Sequence, residues 1–207
     1  MSPVRVLLFD LGATLTLPQR EDAVARMMEV LGCGSPMGEF RASYSRQRPP
    51  YDRGTADAEA YWKAVARELG LEVDERRITR LKALDVESWF NMNPEMLKLV
   101  SRARALVARM GILSNINAEG AAYLASSCPW ASVFDAATCS CDVGALKPER
   151  RIYEAAAELH GAEPGDCLFV DDMSENVEGA RAAGMAALRF TDVPALRAAL
   201  SRHGLEL

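Results

Sequence analysis

Short apolar runs that alternate with helical patterns are what most restrict the fold of this chain. Val4 to Phe9, Gly111 to Leu113, Val133 to Ala137, Cys167 to Val170 and Met185 to Phe190 each read as a strand, and in the second half helical stretches separate them. That rhythm predicts a parallel, doubly wound α/β sheet with helices on both faces. The helix punctuation agrees. Pro94 and Pro148 suit first helical positions, Asn93, Asn117, Ser174 and Asp192 suit N-caps, and Gly161 and Gly184 suit C-terminal stops. Arg150 to His160 sets Ile152, Ala155, Ala156 and Leu159 at helical spacing, a stripe for packing on the sheet.

Between Pro18 and Phe90 the alternation stops and only helical patterns remain, with Val24, Met27, Met28 and Leu31 on one and Tyr61, Val65 and Leu69 on another. The expected organisation is a Rossmann-like core, residues 1–17 and 91–207, with an all-α cap inserted at 18–90. Two short hinges, near Leu17-Pro18 and Phe90-Asn91, would tether it. At 207 residues and 49% hydrophobic composition, the chain can bury a core and carry such an insertion. Within the cap, Ser43 to Gly54 holds Tyr44, Arg46, Arg48, Pro49, Pro50, Tyr51 and Arg53. It reads as too polar and proline-broken for a core helix, hence as a substrate-facing loop with Arg46, Arg48 and Arg53 as substrate-binding cations.

A net charge of −5 with no block of Lys or Arg argues against nucleic acid or an anionic membrane as the main partner. No charged and apolar leader precedes Val4, and no apolar stretch is long enough to span a bilayer, so the expectation is a cytoplasmic protein. Five scattered cysteines without CxxC spacing, and only His160 and His203 beside them, make a zinc site improbable. Cys139 and Cys141 fall in a strand-like stretch and read as reduced thiols. Neither histidine adjoins a Ser or Cys nucleophile, which weakens a hydrolase triad.

The chemistry-bearing residues fall where predicted strands end. Val4 to Phe9 delivers Asp10 into the turn Leu11-Gly12-Ala13-Thr14-Leu15; Ile112-Leu113 runs into Ser114-Asn115; Lys147-Pro148 opens a helix; Leu168-Phe169-Val170 runs into Asp171-Asp172. Taken singly, each is more often a helix cap or a solvated residue. Their equivalent positions in an α/β sheet change that, because ligands bind outside the carboxyl ends of the strands. The set suits phosphoryl transfer. Asp10 and Asp172, with Asp171 behind them, can bind Mg²⁺ through hard oxygen ligands. Lys147, the Ser114 hydroxyl and backbone amides near Leu11, Gly12 and Asn115 can hold phosphate oxygens while Asp10 attacks phosphorus.

With these motifs, and with Asn176-Val177-Glu178-Gly179-Ala180 after the acidic pair, the chain resembles the haloacid dehalogenase superfamily, in its phosphatase-like branch with a helical cap. The resemblance spans essentially the whole chain. It implies a nucleophile at Asp10, phosphate contacts from Ser114 and Lys147, and Mg²⁺ contacts from Asp10, the Gly12 carbonyl and Asp172, with Asp171 in the outer shell. The substrate would be a small phosphorylated metabolite.

Gly12 departs from the usual pattern of that family, which places there a second aspartate to protonate the leaving group. Glycine still offers the carbonyl a metal would use. The lost acid is the larger matter, since general acid catalysis is typically worth about 10²–10⁴-fold. Two other readings follow from this position. A metal-independent 2-haloacid dehalogenase also lacks the second aspartate, but Asp171-Asp172 would repel a carboxylate substrate. A catalytically weak or inactive member would act as a binding or regulatory protein.

Overall fold

The computed structural model describes residues 4–206, so the Met1-Ser2-Pro3 lead into the first strand lies outside the described residues. Five strands form one fully parallel sheet: β1 (Val6–Phe9), β2 (Arg109–Ser114), β3 (Ala136–Cys139), β4 (Cys167–Asp171) and β5 (Ala186–Arg189). Their order is β3-β2-β1-β4-β5. The chain winds outward from β1 through β2 to β3, then returns to the other side of β1 for β4 and β5. The switch point therefore lies between the adjacent strands β1 and β4, where a crevice opens at their carboxyl ends.

The pleat explains why β1 reads as continuous apolar sequence. Leu7 and Phe9 enter one core with residues of α6 (Pro94–Ala103) and α11 (Val193–Arg202), including Met96, Leu99, Leu196 and Leu200. Val6 and Leu8 enter the opposite core with Ile152, Tyr153 and Ala156 of α9 (Arg150–Leu159) and Val177 and Ala180 of α10 (Ser174–Ala182). Both faces are covered, as a parallel sheet requires.

Several local expectations need correction. Residues Pro129–Val133 form a 3₁₀ turn, so the third strand starts later and ends at Cys139. Cys141 belongs instead to the short α8 (Ser140–Val143), and the two thiols do not share a strand face. Pro148 is not the first helical residue, because α9 begins at Arg150 after a cis Lys147-Pro148 bond. Ser174 does not cap α10: the Asp171 carboxylate takes the N–H of Met173 at 2.8 Å. Leu159 is exposed, and Tyr153 and Ala157 complete the buried stripe of α9. Asn93, Asn117 and Asp192 do cap α6, α7 (Ala118–Ser127) and α11 through their side chains.

The insertion consists of α1 (Glu21–Leu31), α2 (Met37–Arg46), α3 (Arg48–Asp52), α4 (Ala58–Glu68) and α5 (Glu75–Trp89). It has its own core, built on Met27, Phe40, Tyr61, Trp62, Val65 and Leu81. The two tethers run side by side: Leu17 N–H donates to Asn91 O at 2.8 Å and Asn93 N–H to Leu15 O at 3.0 Å.

The segment read as a substrate-facing loop, residues 43–54, is largely helical, holding the end of α2 and all of α3. Pro49 and Pro50 sit in the first turn of α3, where a missing N–H costs nothing. Tyr44, Tyr51 and Tyr61 supply the apolar surface, with the last two stacked at 4.6 Å between ring centroids. Arg48 lies over all three rings, its guanidinium carbon 5.2 to 5.5 Å from their centroids. Aromatic burial outweighs the polar composition that suggested a loop.

Candidate active site

The turn after β1 positions the first carboxylate. Asp10 N–H donates to Val170 O at 2.8 Å, which ties the end of β1 to β4. The chain then makes a wide helical turn over Leu11–Leu15, closed by Thr16 N–H to Leu11 O at 2.9 Å. Ala13, not Gly12, takes the left-handed conformation, at φ 53°. Gly12 has φ −68° and ψ 132°, a conformation open to any residue. The space beyond its Cα is occupied: a Cβ there would touch Trp89 Cε3 and Cζ3 at 3.5 Å.

Lys147 is the centre of the cluster. Its Nζ donates to Asp10 Oδ1 and to Asp171 Oδ2, each at 2.6 Å, and to Leu113 O at 3.2 Å. Asp171 is held further by Asn176 Nδ2, at 3.0 Å from both carboxylate oxygens. Burial opposes the Lys147 charge, but Asp10 and Asp171 outweigh it and hold the ammonium above its ordinary pKa. Burial also pushes the Asp10 carboxyl up to about 7; Lys147 pulls it down, and Asp171 and Asp172 push it further up. Asp172 is raised by burial and by Asp171.

Carboxylate oxygens of Asp10, Asp171 and Asp172 approach within 4.8 Å of one another, among the described residues the one such group of three or more potential ligands. Three acids face one ammonium there, so a divalent cation suits the donor set in both charge and hardness.

The sequence-predicted residues separate into two groups. Asp10, Gly12, Ser114, Asn115, Lys147 and Asp172 all line one cavity of about 400 Å³ between the sheet and the helical insertion, with Asp171 behind Lys147. The Asn115 side chain has a duty of its own, apart from the backbone amide expected to hold phosphate. Its Oδ1 accepts from Lys147 N at 2.8 Å and its Nδ2 donates to Lys147 O at 3.1 Å, so its side chain anchors the lysine backbone.

Of the three arginines, only Arg48 reaches the cavity. Arg46 pairs with Glu68 on the outer surface of the cap, and Arg53 spans to the core, pairing with Glu149 at 2.5 Å and donating to Gly144 O at 3.2 Å. Arg48 is itself committed, to Asp85 Oδ2 at 2.7 Å and Asp52 Oδ1 at 3.0 Å. Burial pushes the Asp52 carboxyl up to about 6 against the pull of Arg48. Arg48→Met should therefore cost about 3–5 kcal/mol by leaving Asp85 and Asp52 without a counter-charge. Arg46→Ala, at an exposed pair, should stay within about 1 kcal/mol. Urea unfolding of both variants checks this, and equal effects would count against it.

Asp85 and Trp89 were not foreseen, and Tyr44 was expected only as part of the substrate-facing segment; all three line the cavity. Tyr44 OH donates to Asp85 and accepts from Trp89 Nε1 at 2.9 Å and from Arg48 at 3.1 Å. Asp85 carried a readable signal: it falls on the α5 face of Ile78 and Leu81, and an acid on a buried stripe needs a partner.

Comparison with known proteins agrees with this geometry. A family model described as haloacid dehalogenase-like hydrolase matches residues 4–184. Phosphatase MT3486 of Mycobacterium tuberculosis is 33% identical over 128 residues, 61% of this chain and 58% of that protein. Flavin mononucleotide hydrolase 1 of Arabidopsis thaliana is 38% identical over 69 residues, 33% of this chain and 28% of that protein. The matches thus span less than two thirds of these relatives' length. Among solved structures, a HAD family enzyme of Bacteroides thetaiotaomicron in complex with magnesium and inorganic phosphate gives a TM-score of 0.73 at 20% identity, covering 93% of this chain and 98% of that one. L-2-haloacid dehalogenase of Xanthobacter autotrophicus with covalently bound chloropropionic acid also gives 0.73 at 20% identity, covering 99% and 85%. At such identities these likenesses establish the fold. No helix among the described residues is long and apolar enough to cross a membrane.

Proposed function

The chain belongs to the haloacid dehalogenase-like hydrolase family, and from that premise we propose that it is a Mg²⁺-dependent phosphatase of a small phosphorylated metabolite. The observation that carries this reading is Lys147 Nζ at 2.6 Å from both Asp10 and Asp171 in the crevice between β1 and β4. Asp10 is the nucleophile. Its carboxylate attacks phosphorus, the phosphorus–oxygen bond to the leaving group breaks, and water later hydrolyses the aspartyl phosphate. Lys147 pulls Asp10 toward its ionised form and, by exchanging its 3.2 Å bond to Leu113 O for one to the substrate, would hold a phosphate oxygen, while the Ser114 hydroxyl holds another. Asn115 positions Lys147. Mg²⁺ would be held by Asp10, Asp172 and the Gly12 carbonyl, with Asp171 behind them, and would neutralise the charge shared by the carboxylates and the phosphate.

The helices between the two tethers act as the cap, opening to admit substrate and closing to exclude water. A dehalogenase is disfavoured by charge: a 2-haloacid carboxylate would face Asp10, Asp171 and Asp172, and Arg48 is already neutralised by Asp52 and Asp85.

Phosphate release from aryl and acyl phosphates should require Mg²⁺ and disappear with chelator, with Asp10→Asn as the blank. Chelator-insensitive turnover would refute the reading. Halide release from a 2-haloacid without metal would install the dehalogenase in its place, and no turnover of any activated phosphate would favour a binding protein.

A further inference from the structure

Trp89 ends α5 one residue before the tether at Phe90-Asn91, and its indole is fixed by one hydrogen bond and lies beside Gly12. Nε1–H donates to Tyr44 OH at 2.9 Å, and Cε3 and Cζ3 stand 3.5 Å from where a Gly12 Cβ would be. With its one polar group engaged, the ring offers bare carbon to the cavity directly beside the turn that carries Asp10. Val86, Phe90, Ile116 and Met173 line the same cavity and add apolar surface. Among the described residues the cap wall of the cavity provides no free cation, because Arg48 stands between the carboxylates of Asp52 and Asp85 and leaves that wall with a surplus of negative charge. The volume, about 400 Å³, sits near the lower end of the roughly 300–1,000 Å³ spanned by small-molecule sites.

We propose that Trp89 is the specificity surface of this site and that it selects phosphates whose leaving group is a single flat, uncharged ring system. This rests on the phosphatase reading above and narrows its substrate class. A planar group stacks on the indole and gains dispersion and quadrupole contact that a small aliphatic group does not match. A carboxylated or phosphorylated leaving group is rejected, since Asp52 and Asp85 have already consumed the guanidinium that would have paired with it.

The test compares phenyl phosphate, 3-carboxyphenyl phosphate and trifluoroethyl phosphate with saturating Mg²⁺. In the native protein phenyl phosphate should exceed its carboxylated analogue about tenfold in kcat/KM, chiefly through KM. Trp89→Leu should cut the ratio of phenyl to trifluoroethyl turnover about tenfold, and Trp89→Phe, which keeps a flat ring, should hold that ratio within about threefold. Proportional losses on all three substrates, or equal use of the carboxylated ester, would overturn the proposal. Binding of phenol gives a readout independent of turnover. Quenching of tryptophan emission by phenol that vanishes in Trp89→Leu supports the ring site even where no phosphate is hydrolysed, which would refute the phosphatase reading alone. Absent quenching beside Mg²⁺-dependent turnover refutes the ring site and leaves the phosphatase standing.

Discussion

Replacing Lys147 with methionine should lower Mg²⁺-dependent turnover by about 10²–10³-fold, the typical cost of removing one preorganised donor from a charge-stabilising site. The same change should destabilise the fold by about 3–5 kcal/mol at neutral pH without metal, because a buried charge cluster loses its only ammonium. Lys147 Nζ stands 2.6 Å from each of Asp10 and Asp171, and among the described residues no other cation pairs with either carboxylate. The pH dependence has a definite sign. Asp10 is already raised to about 7, chiefly by burial, and Lys147 is the group that pulls it down. Without the lysine its folded pKa rises further above the value of about 3.9 in an unfolded chain. Between those two values the folded state binds more protons, so stability is fully present below the unfolded pKa and is lost as pH climbs through the folded one. Urea unfolding in chelator should therefore show a larger penalty at pH 8 than at pH 5, and Mg²⁺ should recover part of it. A penalty independent of pH, together with undiminished turnover, would remove Lys147 from the site.

What the sequence revealed, and what it hid, follows from the range of the interactions. Strands buried on two faces write themselves as unbroken apolar runs, so β1 and β4 were legible, and with them the positions of Asp10 and Asp171. Lys147 was legible only by its place before Pro148; it does not end a strand as expected but lies between α8 and α9, because α8 follows β3 directly. Its pairing with both carboxylates depends on β1 and β4 being neighbours across 161 residues of chain, from Asp10 to Asp171, and no local pattern encodes that. The side-chain duty of Asn115 was not legible, because a polar side chain after a strand says nothing of its partner; here the partner is the backbone of Lys147.

The cap was harder to read. Tyr44 to Arg53 combines three arginines, two prolines and two tyrosines, and composition alone favours a loop. The prolines fell where a helix tolerates them, and the tyrosines were buried beneath one arginine, while a second faces outward to Glu68 and the third bridges to Glu149 of the sheet domain. Three identical side chains within eight positions thus have three different surroundings, which only tertiary packing decides. Trp89 was hidden for the same reason. Nothing in Glu87-Ser88-Trp89-Phe90 announces that the indole will lie against Gly12 from the far end of the insertion.

Gly12→Asp should raise turnover of alkyl phosphate monoesters most, toward the factor of about 10²–10⁴ that a positioned general acid supplies, and should change activated aryl and acyl phosphates least. In the native protein the cavity has no carboxyl group at that position, so the departing oxygen leaves with little protonation and the rate should fall steeply as the leaving group becomes more basic. The backbone does not oppose the substitution: at φ −68° and ψ 132° Gly12 is already where aspartate rests comfortably. The cost lies in Trp89. A new Cβ meets its ring carbons at 3.5 Å, ordinary van der Waals contact, but the carboxyl group beyond must share the space that the indole fills. The gain on alkyl esters should therefore be larger in Gly12→Asp combined with Trp89→Leu than in Gly12→Asp alone, a coupling expected for residues in contact. Plotting log kcat/KM against leaving-group pKa for the native, single and double variants measures both effects. A flat native plot, where phosphoryl transfer limits the rate, would mean that another group in the cavity donates the proton; additive effects of the two substitutions would mean that Trp89 does not restrict the space beside residue 12.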